Sequence, residues 1–279
     1  MNLVTLLTNT VGRRPNHTAI RFKDQTVTFA QLNRRVDSLA AGLSRAGLKP
    51  GDVCVLMMPN SIHWVTVYYA LAKVGSVVLP VNFLYRVGEL RHIFRDSGAR
   101  AFIGHTAYLE EAREVMNGLP EMDIRVADGG PAAGFTPLEA LFSDHDTFSA
   151  YPAQDDEPLA MIYTSGTTGA PKGAVLTHKN LASNAMTVAD MRHTEPEDVV
   201  LGVLPFFHIY GQTSILNASI YLGLTVRLWV HFEAHEVFEA VEEERKSILI
   251  AVPTAFNRLA EMAEKKPPRR SSLRFCVSG

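Results

Sequence analysis

The chain has 279 residues, 47% of them hydrophobic and 20% charged, with a formal net charge of −2. That is enough apolar material for a large core, arranged as one big domain or two fused lobes. With near-neutral charge and no long basic stripe, nucleic-acid binding has no electrostatic support. Cys54 and Cys276 both sit in apolar, strand-like contexts. They read as core residues of a reducing compartment, not as a disulfide framework or a metal site.

The first fifteen residues lack a cationic start followed by an apolar block, so no signal peptide is expected. Leu3, Leu6, Leu7 and Val11 fall instead on one helical face. Residues 19–22 and 26–29 suggest a short hairpin around Lys23 and Asp24, and Thr28 with Gln31 forms a capping box opening a helix to about residue 45. A strand is expected over 53–57, and 61–74 is apolar nearly all round, as a buried helix is. The rhythm continues with a strand at 77–79, helix 87–97, strand 100–103, helix 107–117 and strand 124–127. Strands alternating with helices of this length imply an α/β fold, doubly wound, with mostly parallel sheets and helices on both faces.

Residues 129–158 break the rhythm. Gly129, Gly130, Pro131 and Gly134 come first, then Asp144, Asp146, Asp155, Asp156 and Glu157, with no lysine or arginine. The segment reads as an exposed, solvated connector with one short helix near 137–142, between a first lobe at 1–128 and a second at 159–279. Alternation then resumes, with helices expected over 179–191, 209–221, 235–244 and 255–265. Strands are expected over 199–203, 226–230 and 248–252 and from residue 274. The longest apolar stretch, 199–228, is broken by Pro205, His208, Gln212 and Asn217, which argues against a membrane span. Cytoplasmic residence is the expectation, with peripheral membrane contact left open.

One loop stands apart. An apolar run at 159–163 empties into Thr164-Ser165-Gly166-Thr167-Thr168-Gly169-Ala170-Pro171-Lys172-Gly173, with four hydroxyls, three glycines and one lysine, before a second apolar run at 174–176. Glycines let backbone N–H groups approach an anion, hydroxyls add donors and the lysine adds a cation, which together suit a polyphosphate. An ordinary surface hairpin uses the same residue types. The loop also matches neither the P-loop ending nor the dinucleotide fingerprint.

The order of these residues resembles the signature loop of the adenylate-forming superfamily, which includes acyl-CoA synthetases, luciferases and peptide-synthetase adenylation domains. The segment Leu204-Pro205-Phe206-Phe207-His208-Ile209-Tyr210-Gly211 resembles the family's second core motif. Val252-Pro253-Thr254-Ala255-Phe256 resembles a third, in the expected order and spacing. The resemblance covers essentially the whole chain, matched to the front part of a family member's large N-terminal domain. It implies that Thr164, Ser165, Thr167, Thr168 and Lys172 grip the ATP phosphates while Gly166, Gly169 and Gly173 let the loop fold around them. It also places the Thr164 hydroxyl on Mg²⁺. By the same resemblance His208 lines the junction of acyl and nucleotide pockets as the catalytic candidate, although an apolar neighbourhood equally suits a core histidine. Phe207, His208, Ile209, Gly211, Val252 and Thr254 are the implied acyl-pocket residues, and the small Gly211 is expected to leave room for the acyl chain.

The family's glycine-rich, adenine-cradling strand end only begins here at Ser278-Gly279, and the acidic motif that completes the Mg²⁺ site, the ribose-holding aspartate and the small C-terminal lid domain with a catalytic lysine have no counterpart up to Gly279. The resemblance therefore implies a part of an ATP- and CoA-dependent acid–thiol ligase, expected to be inactive alone. The implied substrate is a medium- or long-chain fatty acid, with a coumarate-like aryl acid as rival. A non-catalytic binding or assembly module, including a homodimer, stands as the reading from another class. The remaining histidines (His63, His92, His178, His193, His231, His235) show no metal-ligand spacing, and His231 and His235 read as surface residues.

Overall fold

The computed structural model describes residues 2–142, 147–164, 171–244 and 246–279. The loop residues Ser165, Gly166, Thr167, Thr168 and Gly169, and Asp144 and Asp146 of the connector, lie outside the described residues.

Local rules explain how the elements begin. Helix α1 (Leu3–Arg13) is capped by Asn2, whose side chain accepts from the Thr5 N–H, and it buries Leu3, Leu6 and Leu7. Strands β1 (Thr18–Phe22) and β2 (Gln25–Thr28) form the expected hairpin. Helix α2 (Phe29–Arg45) opens on the reciprocal Thr28–Gln31 box, at 2.8 and 3.2 Å. The alternation then runs β3 (Val53–Met57), α3 (Ile62–Val74), β4 (Val77–Pro80), α4 (Val87–Asp96), β5 (Ala101–His105), α5 (Leu109–Met116) and β6 (Ile124–Asp128). Gly75 ends α3 in the left-handed region at φ 85°, where an L side chain would be strained.

The connector carries the short strand β7 (Thr136–Pro137) and a 3-10 turn over Leu138–Leu141. It is less exposed than expected: Leu138, Leu141 and Ala153 are buried, and the Tyr151 ring lies against Gly75. Beyond it come β8 (Pro158–Thr164), β9 (Lys172–Thr177), α6 (His178–Asp190), β10 (Val199–Gly202), a π-helix (Gly211–Asn217), α7 (Ala218–Leu222) and β11 (Thr225–Leu228). The last elements are α8 (Ala234–Glu243), β12 (Ser247–Ala251), α9 (Pro253–Lys265) and β13 (Leu273–Ser278).

Two sheets result. One has six strands in the order β13-β12-β10-β11-β1-β2, the other seven in the order β7-β6-β5-β3-β4-β8-β9. Pairing is parallel throughout except at β1–β2 and β8–β9. Sheet membership does not follow chain order, because the early β1–β2 hairpin joins the later strands and the later β8–β9 hairpin joins the early ones. The central strands, β3, β4, β5, β10 and β12, are buried on both faces almost throughout, as parallel strands are, while β2, β7, β9 and β13 at the margins are partly exposed. Cys54 and Leu56 of β3 face a central core shared with α1, α2, α3, α6 and the inner face of the other sheet. Val55 and Met57, alternating with them, face α4 and α5. Leu201 and Leu249 face α8 and α9. The layering is thus helix, sheet, helix, sheet, helix. No helix among the described residues is long and apolar enough to cross a membrane.

Two expectations need correction. Cys54 is fully buried, but Cys276 is exposed: Phe275 and Val277 of β13 turn inward onto the central core, and Cys276, alternating with them, points the other way. The helix expected over 209–221 is π-helical over seven of its residues. One of its carbonyls has a partner outside the helix: Arg192 donates to the Ser214 carbonyl at 2.7 Å. At its end Asn217 is pinned by the hydroxyls of Tyr68 and Tyr69 from α3, at 3.2 and 3.1 Å.

Candidate functional site

The candidate segments all follow the carboxyl ends of parallel strands: Thr164 ends β8, residues 204–210 follow β10 and Val252 follows β12. Ligands of α/β sheets bind at such ends, where loops are free to vary while the strands hold their spacing.

At the first segment, β8 and β9 pair in antiparallel register with Tyr163 opposite Gly173 and Thr164 opposite Lys172. This sets the Thr164 hydroxyl and the Lys172 ammonium, both exposed, on either side of the mouth of the loop 165–170. A Cβ on Gly173 would lie 3.1 Å from Met161 Sδ and Tyr163 Cε2, so the strands approach closely at the loop base. Helix α4 latches that base. The Tyr163 hydroxyl donates to Asp96 Oδ2 at 2.6 Å, and His92 Nε2–H donates to the Pro171 carbonyl at 2.8 Å. Burial, and then the neighbouring Asp96 carboxylate, push the Tyr163 phenol pKa up, so it remains a donor at neutral pH. Sequence reasoning missed His92, Asp96 and the latching role of Tyr163, because none belongs to a motif and their meeting depends on how α4 packs on the hairpin.

The second segment is held rigidly. Asn60, 3% exposed, donates to the Leu204 carbonyl at 2.8 Å and accepts from the Phe206 N–H at 2.8 Å. This clamp joins the loop after β3 of one sheet to the turn after β10 of the other. Phe206 packs on Trp64 at 5.2 Å, and Phe207 meets Phe83, which follows β4, edge-on at 5.5 Å. Phe207 thereby joins the apolar cluster that also receives Met161 and Tyr163 from β8. The first and second segments are tied to one another through that cluster. Asn60 was also missed; Pro59-Asn60-Ser61 immediately after an apolar strand was the available signal.

His208 lies in contact with the Phe207 ring at 4.4 Å. Its side chain reaches solvent, yet surrounding protein excludes enough water for burial to hold its pKa below the ordinary imidazole value. It is therefore a neutral imidazole at pH 7, able to accept or donate one hydrogen bond. Ile209 packs against the central core, and Gly211 is buried. A Cβ on Gly211 would sit 2.6 Å from the Pro205 carbonyl oxygen, so this glycine admits close backbone approach and opens no space in that direction.

The third segment meets the second in a cleft of about 270 Å³ whose lining includes Leu204, Pro205, Phe232, Val252, Thr254 and Arg258. Its walls are largely apolar, with Arg258 as the one charge. Phe207, His208 and Ile209 are not among its lining residues. Tyr210 stands against Gly279 at the end of β13, where a Cβ would meet its hydroxyl at 2.9 Å.

Comparison with known proteins bears on the family and the fold. A family model described as "AMP-binding enzyme" matches residues 7–279. The chain is 32% identical to a feruloyl-CoA synthase of Amycolatopsis sp over 269 residues, covering 95% of this chain and 51% of that protein. It is 31% identical to a long-chain-fatty-acid–CoA ligase of Bacillus subtilis, covering 99% of this chain and 55% of the relative. The solved anthranilate CoA ligase AuaEII, in complex with anthranoyl-AMP, superposes with a TM-score of 0.92 at 26% identity, over 100% of this chain and 55% of that one. The chain spans about half the length of the curated relatives it matches. Two parallel-rich sheets wrapped by helices, with the three motif segments at their carboxyl ends, belong with those matches: the chain is a member of the AMP-binding, adenylate-forming enzyme family.

Proposed function

We propose that the protein to which this chain belongs is an ATP-dependent acid–thiol ligase, which joins a carboxylic acid to the α-phosphate of ATP, expels pyrophosphate and passes the acyl group to coenzyme A. The observation that carries this reading is the Thr164–Lys172 pair, exposed on both sides of a glycine- and hydroxyl-rich loop mouth. Repulsion between the carboxylate and the polyphosphate is the main barrier, and preorganised donors beside the leaving phosphates lower it. Thr164, Lys172 and Gly173, with Ser165, Gly166, Thr167, Thr168 and Gly169 of the loop, are the proposed phosphate cradle. Hydroxyls and an ammonium fit phosphate oxygens; they do not by themselves hold a bare divalent ion. Mg²⁺ is bound mainly through substrate phosphates in such sites, with the Thr164 hydroxyl as the proposed contact from this chain. Its chemistry would be to neutralise charge on the departing pyrophosphate.

Neutral His208, on the Phe207 ring, is proposed to orient the substrate carboxylate without adding charge. Phe207, Ile209, Gly211, Val252 and Thr254 are the proposed acyl-side residues, of which Val252 and Thr254 line the apolar cleft. A medium- or long-chain fatty acid is the first reading of the substrate. An aryl acid is the second, favoured by the modest 270 Å³ cleft and by the feruloyl-CoA synthase similarity. Cytoplasmic residence goes with ATP and coenzyme A as cosubstrates.

Pyrophosphate exchange by the longer protein, with fatty and aryl acids in parallel, tests the reading. Exchange that depends on one acid class and falls about 100-fold in Lys172→Ala supports it. Acid-independent exchange, or none with any carboxylate, contradicts it, as a purely structural assembly module would.

A further inference from the structure

Outside the motif segments, three potential ligands from separate elements converge on one point. His63 stands in the first turn of α3, Asp128 ends β6, and Glu139 lies in the 3-10 turn of the connector. One donor atom from each lies within 4.8 Å of the other two. The closest pair is His63 Nδ1 and Asp128 Oδ1, at 2.8 Å. The Asp128 side chain is 8% exposed and that of His63 25%, while Glu139 reaches solvent.

We propose that His63, Asp128 and Glu139 form a binding site for one zinc-class divalent cation, which ties the start of α3, the end of β6 and the connector together. The donor set is an imidazole and two carboxylates, a combination that tetrahedral Zn²⁺ accepts with a water in the fourth position. Bonds of about 2.0–2.1 Å to such an ion place its ligand atoms roughly 3.3 Å apart, so small side-chain shifts, with release to solvent of the proton that His63 Nδ1 shares with Asp128, seat the metal. The imidazole sets the preference: Mg²⁺ and Ca²⁺ choose all-oxygen sites, whereas Zn²⁺ and its neighbours take nitrogen readily. Burial adds a reason for a cation. A carboxylate withdrawn from water needs opposite charge or strong donors, and a divalent ion shared with Glu139 supplies the charge.

The surroundings bound the affinity. Arg35, whose guanidinium lies over the Phe142 ring at 5.5 Å, interacts electrostatically with Glu139. It competes with the metal for that carboxylate and weakens binding relative to a site without it. The ion would join segments distant in sequence, so its stabilisation comes from binding the folded chain and not the unfolded one.

The test is titration of the purified protein with ZnCl₂ by calorimetry, with CoCl₂ absorption as a geometric readout. Wild type, His63→Ala, Glu139→Gln and the control double variant His231→Ala/His235→Ala are compared. Glu139 is exposed, so Glu139→Gln keeps the fold, and circular dichroism checks this. The proposal expects one equivalent of zinc and an intense tetrahedral cobalt band. It also expects at least a tenfold loss of affinity in His63→Ala and in Glu139→Gln, no change in the control, and a zinc-dependent rise in Tm in wild type and the control but not, or far less, in the two site variants. It is overturned by no uptake, by uptake unchanged in His63→Ala and Glu139→Gln, by loss in the surface double variant, or by tighter binding of Mg²⁺ than of Zn²⁺ at the same residues.

Discussion

The hairpin of β8 and β9 and the turn after β10 both extend the carboxyl end of a strand, yet they are built in opposite ways. The hairpin places polar, exposed groups at the loop mouth and secures only its base, through Tyr163–Asp96 and His92–Pro171. The turn is apolar, and Asn60 holds its backbone on both sides from within the core. The difference separates two tasks. A group that grips a charged, hydrated ligand needs exposed donors at its rim, whereas a wall between pockets needs backbone geometry fixed from within the core. Stability should therefore be concentrated in the turn and ligand affinity in the hairpin.

The largest expected effect falls on the turn. Asn60→Ala leaves the Leu204 carbonyl and the Phe206 N–H buried without partners, which costs about 3 kcal/mol in urea unfolding. A loss below about 1 kcal/mol would show that the clamp does not carry the turn. Gly211→Ala comes next. Its new methyl must displace the Pro205 backbone, at a cost of about 2 kcal/mol, and an unchanged urea midpoint would refute that packing. Tyr163→Phe removes one hydrogen bond at the hairpin base and should cost about 1 kcal/mol, measurable as a small midpoint shift with the fold intact.

Acid titration sharpens the same contrast. Burial lowers the pKa values of His178, His17 and His208, for His17 with help from Arg14. The unfolded chain then binds protons first as pH falls through the ordinary imidazole range, so stability decreases with falling pH in that window. The urea midpoint should drop between about pH 7.5 and pH 5.5, and less so in His178→Gln, since that ring is the most buried of the three. A midpoint rising over that interval would reverse the sign and refute the assignment. The smallest stability effect is expected at Lys172→Ala, within about 0.5 kcal/mol, because its side chain is exposed.

Much of this was legible in the amino-acid sequence. The Thr28–Gln31 box, the all-round apolar α3 and the βα rhythm follow from local spacing, and the structure bears them out. The sheet order was not legible. That β1 pairs with β11 and β8 with β4 depends on long-range packing of strands with interchangeable apolar patterns. Cys276 misled for a related reason, since an apolar strand pattern does not say whether both of its faces are covered. The π-helix at Gly211–Asn217 was hidden because its partners Arg192, Tyr68 and Tyr69 are distant in sequence. Among candidate site residues, motif order pointed to Thr164 and Lys172, which the register sets opposite one another. The supporting groups, Asn60, His92 and Asp96, became visible only in three dimensions.

The most direct test is calorimetric titration with ATP and Mg²⁺ of wild type and Lys172→Ala, alongside thermal unfolding of both. Grip by the β8–β9 hairpin predicts saturable binding to wild type, an affinity at least tenfold weaker in Lys172→Ala, and matching Tm values without ligand. Equal affinity in the two proteins, or no binding to wild type while it remains folded, would contradict it.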